Sequence, residues 1–359
     1  MGWFAQTAVL PAFANAEANS ELVAIVSDDH EKRDELGEKY GVPAVPYSQY
    51  DTLLAAGGVD AVYIVLPSSM HADYTIRAAA AGVRVLCEKP MAPTVREGEQ
   101  MIAACTAANV RLMIAYRLHF EEANLGAAHI VNSGKIGEPR LFNSVFTQQV
   151  NDTNNIRLDG HLGGGPLEDI GIYCLNASRY LFRDEPTEVS AFAETSLDPR
   201  FTEVDEMVSV QMRFPNNRIG QFVCGFGAEK VSTYTVAGAL GNLRLDPAYS
   251  FDEPLKQYLT IDGTTTETKF AQRDQISPEI LYFSECLQKD RQPEPSGLEG
   301  LLDIRVIEAI RESCQTGRSV KLTPVGEKRR PGISQAAERP AVKKEKLVKA
   351  TPPSGRSKK

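Results

Sequence analysis

Short apolar runs alternate with amphipathic stretches through the first third of the chain. Leu22–Val26, Ala61–Leu66, Val83–Glu88 and Val110–Ala115 are compact and rich in β-branched residues, the pattern of strands buried on both faces. Between them the apolar period lengthens, which predicts helices over Thr7–Ala18, Glu31–Tyr40, His71–Ala81 and 94–108. Val45–Tyr47 reads as a minor strand and 51–56 as a short helix. Strands alternating with helices of this length predict βαβ units and a parallel sheet.

The texture changes near residue 120. A helix is expected over Glu121–Asn132, and Leu141–Phe146 alternates as a half-buried strand does. Short runs at 188–194, 206–214, 218–226, 232–237 and 242–245 are punctuated by turn residues and predict a largely antiparallel sheet. Helices over about 277–290 and 296–316 close the body, with Gly317 as a C-cap. The expected fold class is therefore α/β: a Rossmann-like dinucleotide-binding domain over 1–119, then an α+β domain with a large, mainly antiparallel open sheet over 120–323. A basic tail over 324–359, poor in large apolar residues, is expected to be disordered.

Charge sharpens this division. The chain carries a formal net charge of −8, yet residues 328–359 hold eleven Lys/Arg and two Glu, a net of +9, so residues 1–327 carry −17. A body that acidic repels phosphate backbones and argues against nucleic acid as its partner. The tail would suit nucleic acid or acidic surfaces, and a solvated tail is the simpler reading. Six scattered cysteines show no zinc-ligand spacing and predict buried free thiols in a reducing compartment. No apolar run is long enough for a membrane span, and a cytoplasmic location is expected, with export left open.

A βαβ unit opens with a strand, whereas this pattern opens with a helix. Either a central strand is missing or an upstream segment supplies it. In the register of a glycine-rich dinucleotide turn, Gly2 takes the second glycine and Ala5 the third small position, with Trp3 and Phe4 between. The amides of the helix that follows would then face a pyrophosphate. After the second strand, Ser27 stands where an acidic residue would hold the ribose of NAD, and Lys32 and Arg33 follow within a turn. This favours NADP, although Asp28 or Asp29 would still serve NAD; a polar loop capping the next helix is the plainer alternative.

Two further clusters carry chemistry. Val83–Glu88 ends in Glu88-Lys89-Pro90, which places a lysine just past the carboxyl end of a strand, where open α/β sheets bind ligands. The second is Gly163-Gly164-Gly165-Pro166-Leu167-Glu168-Asp169-Ile170-Gly171-Ile172-Tyr173-Cys174, in which Asp169 and Tyr173 stand four apart and share a helix face. The glycines would bring backbone close to a ligand. Arg157, Asp159 and His161 precede this segment and would reach a substrate or lie on the surface.

Together with Tyr116-Arg117, these motifs resemble the Gfo/Idh/MocA oxidoreductases, most closely the glucose–fructose oxidoreductase branch, over residues 2 to about 322. The resemblance implies an oxidoreductase moving a hydride between NADP (NAD being the alternative) and a carbinol or carbonyl of a sugar or small polyol. It implies Lys89, Asp169 and Tyr173 as catalytic residues, with Asp169 orienting the substrate and Tyr173 moving the proton. Leu66, Pro67, His71, Glu88, Lys89, Tyr116 and Arg117 would line the cofactor cleft with Gly2, Trp3, Phe4, Ala5, Ser27 and Lys32. It also implies a homo-oligomer formed through the second domain's sheet, and no metal. Alternatives on the same fold are a dihydrodiol-type dehydrogenase, a dinucleotide-sensing protein and an inactive truncated relative.

Overall fold

A computed structural model describes residues 1–323, 325 and 330–355. The chain forms two compact units: Met1–Arg117 with Asp274–Gly300 and Arg339–Lys359, and Leu118–Arg273 with Leu301–Glu338. The division is discontinuous, unlike the expected boundaries at 119 and 323.

In the first unit, β1 (Ile25–Val26) pairs with β2 (Ala44–Val45), and β3 (Ala61–Ile64), β4 (Arg84–Glu88) and β5 (Leu112–Ala115) form a second ladder in that order, all parallel. Helices α2 (His30–Tyr40), α3 (Tyr50–Ala55), α4 (His71–Ala80) and α5 (Val95–Ala107) connect them. Asp29 caps α2 and Thr94 caps α5 with side-chain oxygens, satisfying amides the helix cannot. Among the described residues, no ladder joins β1 to β3. Instead a cavity of about 760 Å³ is lined by Leu22–Ala24 and Val26, by Ala61–Leu66, and by Ile280, Phe283 and Leu287. The expected strand Leu22–Val26 accordingly shrinks to its last two residues, because only these have a partner to hydrogen-bond.

The first helical segment also differs from expectation. It begins at Trp3 rather than Thr7, runs through a wide turn over Ala5–Val9, α1 (Leu10–Ala12) and a tight turn over Phe13–Asn15, and stops short of Ala18. Pro11 lies inside it and cannot donate to an earlier carbonyl.

Helix α8 (Ser277–Gln288), expected in the second domain, returns to the first unit. Asn15 donates to Asp274 at 3.0 Å, Asn19 to the Leu281 carbonyl at 2.9 Å, and Ser20 and Ser284 hydroxyls meet at 2.7 Å. The Ile114 amide donates to the Pro295 carbonyl at 3.2 Å, covering the outer edge of β5.

The tail, expected to be disordered, also docks here within its described residues. Both amide atoms of the Gln6 side chain bond the Val348 backbone, and Val348 packs with Leu10, Ile25 and Leu36. Lys39 pairs with Glu345 at 2.6 Å, and Lys349 pairs with Glu31. One buried valine and ion pairs of both senses, Lys39 with Glu345 and Glu31 with Lys349, supply an anchoring that depends on position rather than composition. Residues 324, 326–329 and 356–359 of the expected tail lie outside the described residues.

The second unit holds a nine-stranded sheet of β6 (Pro139–Thr147), β7 (Glu188–Glu194), β8 (Met207–Phe214), β9 (Arg218–Gly225), β10 (Val231–Gly238), β11 (Gly241–Leu245), β12 (Leu255–Ile261), β13 (Thr264–Phe270) and β14 (Val320–Lys321). The order is β13-β12-β11-β10-β6-β9-β8-β7-β14. It is antiparallel except between β6 and β9. The last long hairpin was not foreseen, because Thr264–Phe270 is polar and exposed on both faces and carries no period-2 signal. Helices α6 (Glu122–Asn132) and α7 (Ile172–Phe182) belong to this unit, and α9 (Gly297–Thr316) spans the division at Gly300. All six cysteines are free and five are buried, as expected. No described helix is long and apolar enough to cross a membrane.

Candidate active site

In the first unit, β4 is buried along Val85–Glu88 and delivers Glu88 and the half-buried Lys89 at its carboxyl end. Tyr63 Oη lies 2.8 Å from Glu88 Oε1 and 3.0 Å from Oε1 of Glu279 on α8. Burial raises the pKa of Glu88, while Lys89, the Tyr63 hydroxyl and Arg117 act against it. Glu279 and Tyr63 were not singled out from the sequence. The only available signal was a carboxylate in an apolar helical stretch, which has no meaning until its partner is known.

His71 is fully enclosed, with Nδ1 2.9 Å from the Pro90 carbonyl and Nε2 2.9 Å from the Leu66 carbonyl. Burial lowers its pKa, against the pull of the carbonyls of Leu66, Pro90 and Met91. Both ring nitrogens thus face backbone carbonyls, and the neutral ring, with one N–H, donates to one of them, so His71 stands between the loop carrying Leu66 and Pro67 and the turn after Lys89. Tyr116 and Arg117 are likewise buried, and the Arg117 guanidinium donates to Gln275.

At the opposite part of this unit's sequence, Gly2 is exposed and its carbonyl accepts from the Gln6 amide, so the helix already begins here. Trp3 and Phe4 are half-buried, and Ala5 is buried in the cavity wall. Ser27 is buried after β1. Asp28 accepts from the Tyr47 amide at 2.6 Å and Asp29 from the Lys32 amide at 3.1 Å, while the Lys32 ammonium stands 3.7 Å from Asp29. One oxygen of each carboxylate thus accepts from a backbone amide. Arg33 in turn donates to the Ser27 carbonyl at 3.4 Å.

In the second unit, a wide helical turn over Leu167–Gly171 leads into α7. Of residues 165–182, only Asp169 and Tyr173 escape burial. Their four-residue spacing puts both on the helix's one open face. Asp169 accepts from Arg157 Nε at 2.6 Å, and the Tyr173 ring packs against Phe146 and Tyr249 with centroids 5.9 and 6.0 Å away. Of the three residues preceding the glycines, Arg157 therefore joins the cluster, while Asp159 caps the turn over Gly160–Leu162 and His161 is exposed.

The glycine cluster works differently from expectation. Gly164 and Gly165 amides donate to the Asp159 and Arg157 carbonyls, each at 2.9 Å. A Cβ on Gly164 would stand 2.6 Å from the Arg157 carbonyl oxygen. Gly165 has φ +125°, and a Cβ there would collide with Glu168 Oε2. Gly164 admits the neighbouring loop, and that loop presents Arg157 to Asp169.

Residues 1–116 match a family model described as an oxidoreductase family with an NAD-binding Rossmann fold, and residues 125–244 match a GFO/IDH/MocA C-terminal domain. The chain is 36% identical over 331 residues to D-xylose 1-dehydrogenase [NADP(+)] of Haloarcula marismortui, covering 90% of this chain and 91% of that one. Trans-1,2-dihydrobenzene-1,2-diol dehydrogenase of Bos taurus is more distant, at 27% identity over 77% of this chain and 82% of its own length. Among solved structures, aldose-aldose oxidoreductase from Caulobacter crescentus, complexed with glycerol, superposes with a TM-score of 0.85 at 39% identity, covering 89% of this chain and 97% of that one.

Proposed function

Because the chain belongs to the Gfo/Idh/MocA oxidoreductases, we propose that it oxidises the anomeric carbinol of an aldose such as D-xylose in an NADP-dependent reaction. The observation that carries this reading is the pair left open on an otherwise buried helix, a carboxylate and a phenol four residues apart. Bound NADP+ supplies the hydride acceptor; the protein must orient the carbinol and move one proton. Ser27, Lys32 and Arg33 would hold the 2′-phosphate, and the amides at the start of the first helix would face the pyrophosphate.

Lys89 donates a hydrogen bond to the reacting hydroxyl and stabilises negative charge as its proton leaves. Tyr173, having given its own proton to solvent, would take that proton as a phenolate and return to the neutral phenol. Asp169, fixed by Arg157, accepts from a neighbouring sugar hydroxyl and sets which carbon is presented. Exposed Leu141, Phe192, Met207, Ile219 and Val231 lie on one face of the nine-stranded sheet, which suits a homo-oligomer interface; sedimentation at graded concentrations tests it.

The catalytic assignment is tested by following nicotinamide reduction with D-xylose, D-glucose and glycerol. NADP+ reduction is expected with an aldose, with Lys89→Met and Tyr173→Phe each lowering kcat by about 10²–10⁴-fold while far-ultraviolet circular dichroism is unchanged. Near-normal kcat in either folded variant would remove that residue from the mechanism. Turnover of a trans-dihydrodiol but no aldose would overturn the substrate class.

A further inference from the structure

Two carboxyl groups and one phenol stand in a row beneath the turn that carries Lys89. Tyr63 Oη makes contacts of 2.8 Å with Glu88 Oε1 and 3.0 Å with Glu279 Oε1. Oxygens at such separations hold a proton between them, and a phenol has only one to give. Two hydrogen bonds through one hydroxyl therefore require a second proton, and it must come from one of the carboxyls.

The surroundings decide which. Glu88 directly precedes Lys89, and both Lys89 and Arg117 favour its anion. Glu279 lies fully buried on α8, facing Glu88, Tyr63, Arg117 and Asp274. Asp274 adds negative charge there, its Oδ1 bonded to the amides of Ile276 and Ser277 and its Oδ2 to Asn15. Glu279 Oε2 is among the described buried atoms without a hydrogen-bond partner. A carboxylate with a bare buried oxygen is far costlier than a neutral acid whose carbonyl goes unpaired. Burial raises both groups, and Glu279 further.

We propose that Glu279 is a neutral carboxylic acid at neutral pH and, through Tyr63, a positioning residue for Glu88 and the Lys89 turn. The Glu279 hydroxyl donates to Tyr63 Oη, whose own proton goes to the Glu88 carboxylate. The row carries a single negative charge, placed at the end nearest Lys89. On the far side of the lysine, His71 Nδ1 stands 2.9 Å from the Pro90 carbonyl. The consequence for catalysis rests on the reading of Lys89 given above, but the protonation does not, and it is measured without any substrate.

Infrared difference spectra between the wild-type protein and Glu279→Gln at neutral pH provide the first test. The expected result is loss of one protonated-carboxyl carbonyl stretch, which shifts on exchange into D2O, with no loss of a carboxylate stretch. Loss of a carboxylate stretch instead overturns the assignment. The positioning role is read from NADP+ affinity as a function of pH, titrated by fluorescence in the wild type and in Tyr63→Phe. Removing the bond that stabilises the Glu88 anion raises its pKa. The acid-side loss of affinity should therefore begin about one pH unit higher in the variant. Superimposable pH profiles would overturn the positioning role.

Discussion

Arg157 Nε donates to Asp169 Oδ2 at 2.6 Å, and each side chain retains about a fifth of its exposure, 21% and 20%. The pair joins two segments twelve residues apart: a loop held by glycine amides and the first turn of a buried helix. Its geometry is local and its cause is steric, since a Cβ at Gly164 would meet the backbone of the loop at Arg157 and Asp159.

Breaking this pair should therefore affect the reaction more than the fold. Arg157→Met is expected to lower kcat/KM for the aldose by about tenfold, roughly 1.4 kcal/mol of transition-state stabilisation. The thermal midpoint should move little, because an exposed-side ion pair contributes under about 1 kcal/mol. Steady-state kinetics beside a melting curve separate the two effects; an unchanged kcat/KM would mean that Asp169 does not need its partner.

Cofactor choice follows from Ser27. Asp28 and Asp29 each accept from an amide through one oxygen, and a carboxylate at 27 would add negative charge directly beside them. Ser27→Asp should weaken NADP+ by about tenfold or more, through like-charge repulsion, and weaken NAD+ less. Paired titrations of the two nucleotides give the ratio, and a ratio equal to that of the wild type would place the 2′-phosphate elsewhere.

Acid stability should depend on Glu185. Burial pushes its carboxyl up, but Arg179 and Arg330 outweigh burial and bring it to about 2. A folded pKa below the unfolded value gives stability that is complete above the unfolded pKa and is lost as pH falls through the folded one. The wild type should thus lose a few kcal/mol between about pH 4.5 and pH 2. Glu185→Gln should be less stable at pH 7 and show a flatter acid limb. Urea melts across that range measure the slope, and parallel slopes in both proteins would exclude Glu185 as its source.

The cavity between β1 and β3 has the requirements of a strand: a backbone edge on each side and apolar residues such as Val9, Leu10, Ile280 and Phe283 in its walls. A variant carrying about five apolar, β-branched residues joined ahead of Met1 through a short glycine linker should melt several degrees higher. It should also bind NADP+ more tightly. The same residues interrupted by prolines, which cannot complete a ladder, form the control, and equal melting of the two variants would show that the cavity does not accept a strand.

Much of this protein was legible from local pattern alone. The alternation of strands and helices over residues 22–115, the lysine at the end of Val83–Glu88, and the shared face of Asp169 and Tyr173 each follow from chain periodicity and from proline's constraint on its neighbours. So do the strands at 188–245. What only the tertiary structure decided concerns groups whose meaning depends on a distant partner. Helix α8 returns to the first unit because Asn19 and Ser20 bond to it, and Asn15 to Asp274 just before it, across more than 250 positions of sequence. Glu279 acquires a proton only when Tyr63 brings Glu88 within reach, and His71 finds its partners only when two loops present carbonyls to it. Val348 anchors a tail whose composition speaks for solvent, since one buried side chain weighs little in a composition and much in a packed core. Periodicity reports which face of an element is buried; it carries no information about which element covers that face, and in this chain the chemistry beside Lys89 is set by the covering elements.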